Sequence, residues 1–123
     1  MRTAPDVAQV EAEKRRMKAE KAFVDVLRQL DMGDLLMKGG FAHEAQGAYC
    51  KAVALAAAVA CYARGAGAVD IDITPVLLED FVRIREELML PPEETLILQL
   101  AVQGLDLPNA PASAREFCQT LHT

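Results

Sequence analysis

The stretch MGDLLMKGGFAHEAQGAYCKAVALA at residues 32–56 sets Gly33, Gly40, Ala45 and Ala52 at regular offsets, with Tyr49 between the last two. Small side chains recurring on two successive helices let their backbones approach closely, and a large ring fills the gap that remains. Gly39–Gly40 marks the break between the helices, because glycine supplies the left-handed conformation that ends a helix. Residues 6–38 contain almost no helix breaker, and Asp6 with Gln9 has the spacing of a capping box. A second helix is predicted from Ala42 to Arg64, where RGAG stops it. A turn this short forces the two helices to lie antiparallel. The spacing serves packing and carries no chemistry.

Further along, AVDIDIT at 68–74 alternates apolar and polar residues with the period of a strand. One reading is a strand that pairs with a partner's edge. A lone strand is unstable, so the favoured reading is an extended linker that docks Ile71 and Ile73 on the core. Thr74–Pro75 reads as a cap and first-turn proline, which predicts a third helix over 75–90. Pro91–Pro92 breaks it, and a fourth helix follows from 92 to Gly104 with Glu93 and Glu94 in its first turn, where the helix dipole favours them. Ser113 and Glu116 have capping-box spacing for a last helix ending near Leu121. The expected fold is all-α: a long N-terminal helix in a hairpin, with two to three additional packing helices. Residues 1–22 are read as a charged helical arm and 23–123 as a single domain.

With 52% hydrophobic residues the chain can build a core, but aromatics make up only 5%, so Leu, Val, Ile, Met and Ala must fill it. A net charge of −5 weighs against nucleic acid as the main partner. Lys14, Arg15, Arg16, Lys18 and Lys21 form the one basic cluster, a candidate for peripheral contact with an anionic membrane or RNA, or for a docking arm within an assembly. Glu11, Glu13 and Glu20 dilute it, and a solvated helix face is the plainer reading. Cys50, Cys61 and Cys118 cannot all pair within the chain, and reduced thiols in an intracellular protein are expected. The apolar run at 52–63 is too short and alanine-rich to span a bilayer.

Catalytic signals are sparse. His43 beside Glu44 is read as an exposed helix-start pair, and His122 as a mobile residue near the chain's end. Glu79, Asp80, Glu86 and Glu87 interleave with Arg83 and Arg85 as a solvated, ion-paired face. There is no phosphate-cradling loop, nucleophile elbow or metal-spaced histidine pair. A non-enzyme with neither cofactor nor metal is expected.

The positions Gly33, Leu36, Gly40, Ala45, Tyr49 and Ala52 resemble one tetratricopeptide repeat, a ~34-residue helical hairpin. With the charged first helix, LDMGDLLMKGGFAHEA (30–45) and ELMLPPEETLILQL (87–100), the chain is similar to the twenty-kilodalton import receptor of the mitochondrial outer membrane. That family has an N-terminal membrane span, a shorter linker than 64–74, and an aromatic where Asp25 stands here. The resemblance implies a mitochondrial location and a groove for the apolar face of an amphipathic presequence. Val26 and Leu30 would line one side of it, and Phe81, Val82 and Ile84 the other. On this reading basic amphipathic peptides bind in the micromolar range, and Leu30→Glu abolishes binding. The alternative is a structural subunit of a large mitochondrial complex, with helix 6–22 and the segment 68–74 buried by neighbouring subunits and the groove a subunit contact.

Overall fold

The computed structural model describes residues 7–122, so the Asp6–Gln9 capping box lies outside the described residues. Five α-helices account for the fold: α1 (Val7–Lys38), α2 (Ala42–Ala63), α3 (Phe81–Leu88), α4 (Pro92–Val102) and α5 (Ala110–His122). The chain is all-helical, and no strand occurs among the described residues. α1 runs unbroken through residues 22 and 23.

α1 and α2 form the predicted antiparallel hairpin. Gly40 takes φ 86°, the Phe41 amide donates to the Leu36 carbonyl at 2.8 Å, and the Gly40 amide donates to Met37 at 3.2 Å. This paired return of amides to the last-turn carbonyls closes the helix where the sequence placed its end. The same pair of bonds recurs at Gly65 and Gly104. After α3 it recurs with Met89 at φ 53°, a non-glycine residue in the left-handed region just ahead of Pro91.

α2 is the central element, packed against all four other helices. Its buried alanines, among them Ala45, Ala52, Ala56 and Ala57, keep its surface low on several sides so that neighbours can close on it. Tyr49 sits opposite Gly33. A Cβ added at Gly33 would stand 2.6 Å from Tyr49 Cε1 and 2.8 Å from its Cζ, so only glycine fits there without movement. The close approach inferred from the spacing is present at this point.

Two local expectations are corrected, and a third in part. The third helix does not start at Pro75: residues 70–77 are irregular, a single 3-10 turn spans Leu78–Asp80, and α3 begins at Phe81. The cause is tertiary, because the Val76 amide donates to the Ala54 carbonyl of α2 at 3.1 Å and the side chain is buried. Ser113 is not a cap either. α5 begins at Ala110, after Asn109 at φ 50°, and the Ser113 hydroxyl donates back to Pro108 and Asn109 carbonyls at 2.6 and 3.2 Å. The alternating 68–74 segment forms no strand, in keeping with the linker reading. It turns at 68–71 and then runs on as a strap, with Ile73 half-buried against the core but Ile71, expected to dock there too, 50% exposed.

Candidate functional site

The five residues assigned to a peptide groove do not line an open groove: four of them share the hydrophobic core. Val26 and Leu30 are 0% and 1% exposed, inside the core of the α1–α2 hairpin. Phe81 and Ile84 are also buried, whereas Val82 stands 56% exposed on the outer side of α3. Ile84 reaches a cavity between α2, α3 and the 66–77 strap that also takes in Cys61 and Val76. The correction has a simple origin: α2 lies beneath both α1 and α3 and consumes the apolar faces the groove would have used.

The basic cluster divides in a way the sequence did not signal. Arg15 turns inward and donates to the carbonyls of Tyr62 at 3.0 Å, Ala66 at 3.2 Å and Gly67 at 2.9 Å, its guanidinium 4.8 Å from the Tyr62 ring centroid. Lys18 donates to the Val69 and Ile71 carbonyls. The Tyr62 hydroxyl donates to Val69 at 2.5 Å. Two cations and a phenol thus close the C-terminal end of α2, where the helix dipole favours positive charge, and fasten the strap to α1. Lys14, Arg16 and Lys21 remain on the outside of α1, with Arg16 in exposed pairs to Glu13 and Glu20 at 3.7 and 3.9 Å.

A polar cluster of four side chains holds α5 onto the hairpin. The Tyr49 hydroxyl donates to Asp34 at 2.6 Å, and Arg115 of α5 donates to Asp34 and, at 3.3 Å, to Asp31. The Tyr49 hydrogen bond, more than the Arg115 guanidinium, holds the Asp34 carboxyl below its ordinary value against the opposing effect of burial. Burial, and then the bond to Asp34, pushes the Tyr49 phenol up to about 12. Burial likewise raises the thiols of Cys118 to about 12 and Cys61 to about 11, so neither is a thiolate near neutral pH.

These shifts predict a two-sided pH profile. A depressed carboxyl contributes stability above its unfolded value of 3.8, and that contribution is lost as pH falls through the folded value. A raised phenol or thiol contributes stability below its unfolded value, lost as pH rises from 9.0 for the thiols and 10.0 for Tyr49 toward about 12. Denaturant midpoints measured across pH should fall on both sides. Tyr49→Phe should flatten the acid limb, and an unchanged acid limb in that variant would show that Asp34 does not depend on this bond.

The histidines and α3 charges take structural places. His43 and Glu44 are both exposed. His122, expected to stand free near the chain's end, stacks its ring on Phe23 with centroids 3.8 Å apart and planes 7° from parallel. Arg83 pairs with Asp80 and Glu87, each at 3.6 Å, on a solvated face.

The surface that combines an apolar floor with one-signed charge lies elsewhere, between α4 and α5. A cleft of about 240 Å³ is lined by Leu96, Ile97, Pro108 and Phe117, and rimmed by Glu93, Glu94, Ser113 and Glu116, with no basic side chain. Leu96 is 50% exposed and Phe117 is 2% exposed, so the cleft has an accessible lip and a closed floor. Its charge follows from the sequence, since the chain from Glu86 to its end contains one arginine, Arg115, and no lysine. Arg115 is drawn to Asp34 and Asp31 instead. That run of composition was the available signal, but it does not say that α4 and α5 leave a gap. No protein-family model, curated protein or solved structure matches the chain. Among the described residues no group of three or more His, Cys, Asp and Glu is placed to hold a metal ion, and no helix is long and apolar enough to cross a membrane.

Proposed function

We propose that this protein is a non-catalytic interaction module that binds a basic amphipathic helix. The observation that carries the reading is the α4–α5 cleft, whose apolar floor lies within a rim of three carboxylates. An amphipathic helix lays its apolar stripe into such a floor and sets its cationic flanks against the rim. Its sharpest form, taken from the tetratricopeptide-like hairpin and the LPP break, is a presequence receptor of the mitochondrial import machinery or a relative. The binding surface is then α4–α5, not the face of Val26 and Leu30.

The test is titration of the full chain with a synthetic helix bearing leucines on one face and lysines and arginines on the other. Affinity in the micromolar range is expected for so small a surface. Leu96→Arg changes an exposed lip residue and should weaken binding by about tenfold or more, a loss of about 1.4 kcal/mol. Equal affinity in the two proteins would sink the cleft assignment.

A second reading, a structural subunit of a large mitochondrial complex, is favoured by a different surface. Leu78 in the 3-10 turn, Val82 on α3 and Met89 just after it are 55%, 56% and 83% exposed, apolar side chains such as a neighbouring subunit covers. Isolation under gentle detergent with stoichiometry read by mass spectrometry separates the two readings. Fixed stoichiometry with many subunits favours the second, and substoichiometric cationic precursors favour the first.

A further inference from the structure

We infer that the α4–α5 cleft also receives the basic N-terminal arm of a second copy of this chain, an inference that rests on reading the cleft as a seat for a basic amphipathic helix. The arm has that chemistry. At about 100° per residue, Val10, Met17 and Val24 fall on the side of α1 opposite Ala19, Val26, Leu30 and Gly33, the residues buried against the rest of the fold. They are 39%, 60% and 46% exposed. Lys14 and Lys21 flank this row on one side and are exposed. Glu13 and Glu20, on the other side, share the single cation Arg16, so the positive edge of the row is its lysine side.

Arm and cleft therefore complement each other along the lysine flank. Met17, the most exposed of the row, enters beside the half-exposed Leu96, and Lys14 and Lys21, one turn or so to either side of it, meet the rim carboxylates Glu93, Glu94 and Glu116. The net charge of −5 does not prevent this, because the opposite charges face each other within a Debye length of about 10 Å. A chain cannot satisfy its own cleft. Ala19 and Phe23 are buried in the same core as α2, so this segment of α1 is fixed in place. The contact is head-to-tail, arm of one copy to cleft of the next, and it generates a ring or an open chain according to the rotation between copies. A cleft filled by a neighbour's arm is closed to a ligand of the same chemistry, so assembly and ligand binding exclude each other.

Sedimentation velocity of the full chain across a concentration series is the first readout, with circular dichroism confirming the fold of each variant. The native chain should self-associate, and rising salt should disperse it. An arm-reversed variant, Lys14→Glu with Lys21→Glu, and a cleft-reversed variant, Glu93→Lys with Glu116→Lys, should each sediment as monomers. Mixed in equal amounts they should associate again, because every arm then meets a cleft of opposite charge. A native chain that stays monomeric at every concentration in low salt overturns the inference, as does association that neither reversal changes. The synthetic basic helix keeps the two claims apart: its binding to a monomeric native chain leaves the cleft reading standing and removes only the arm. Association that is lost in both reversed variants, beside a synthetic helix that does not bind, upholds the arm contact and removes the ligand reading.

Discussion

Leu30→Glu should unfold the protein, not merely block a surface. The side chain is 1% exposed between Val26 and Gly33, both buried, so a glutamate there would have to surrender its charge or carry it into an apolar interior. Loss of the leucine's burial together with an unpaired buried charge costs upward of about 4 kcal/mol, a large share of a typical domain's 5–15 kcal/mol. Far-UV circular dichroism with thermal melting gives the result directly. Leu35→Glu is the matching control: Leu35 lies on the same helix but is 70% exposed, and its replacement should change stability by no more than about 0.5 kcal/mol. If Leu30→Glu melted like the native chain while losing peptide affinity, the groove would lie on α1 after all.

Gly33→Ala is the second large expected effect, and its sign contradicts simple helix propensity. Alanine in place of a mid-helix glycine normally stabilises by about 1 kcal/mol. At Gly33 the new methyl would meet the Tyr49 ring at 2.6 to 2.9 Å, well inside contact distance. The ring cannot swing away cheaply, since its hydroxyl is bound to Asp34 and the side chain is fully buried. Overpacking of this kind costs about 1–3 kcal/mol, and the pinned ring places Gly33→Ala toward the upper end. Gly47→Ala isolates the propensity term, because a Cβ there has nothing within 4 Å. The pair should move in opposite directions in chemical denaturation, Gly33→Ala down and Gly47→Ala up. If both moved up, the hairpin would be looser at Tyr49 than its spacing implies.

Both substitutions probe the hairpin, and the hairpin explains why the apolar residues of α1 and α3 do not form a binding groove. α2 is alanine-rich enough to be covered on several sides. Each neighbour that settles on it removes another apolar face from solvent. What remains open is at the periphery, where α4 and α5 meet over Ile97 and Phe117 and where α1 presents Val10, Met17 and Val24.

The local code of this chain is written in residues whose backbone preferences act without distant help. Gly40 and Gly104 end helices because their φ values of 86° and 71° suit glycine, and Pro92 opens α4 because its fixed φ and missing amide suit a first turn. Gly33 and Tyr49 declared a close approach because a missing side chain opposite a ring has few other uses inside a packed hairpin. By such means the sequence alone determined the helical class, the antiparallel hairpin and most helix ends. The tertiary structure decided what distant partners control. A helical period shows that α1 has an apolar face but not that α2 covers Val26 and Leu30 completely. Thr74–Pro75 is a sound helix start until Val76 gives its amide to Ala54, and Ser113 is a sound cap until the helix starts earlier, at Ala110. Arg15 and Lys18 look like surface cations until carbonyls some fifty residues away point at them. Local preference acts over one or two turns of chain, whereas burial and charge pairing depend on which turns meet, and that was settled only when the other four helices closed around α2.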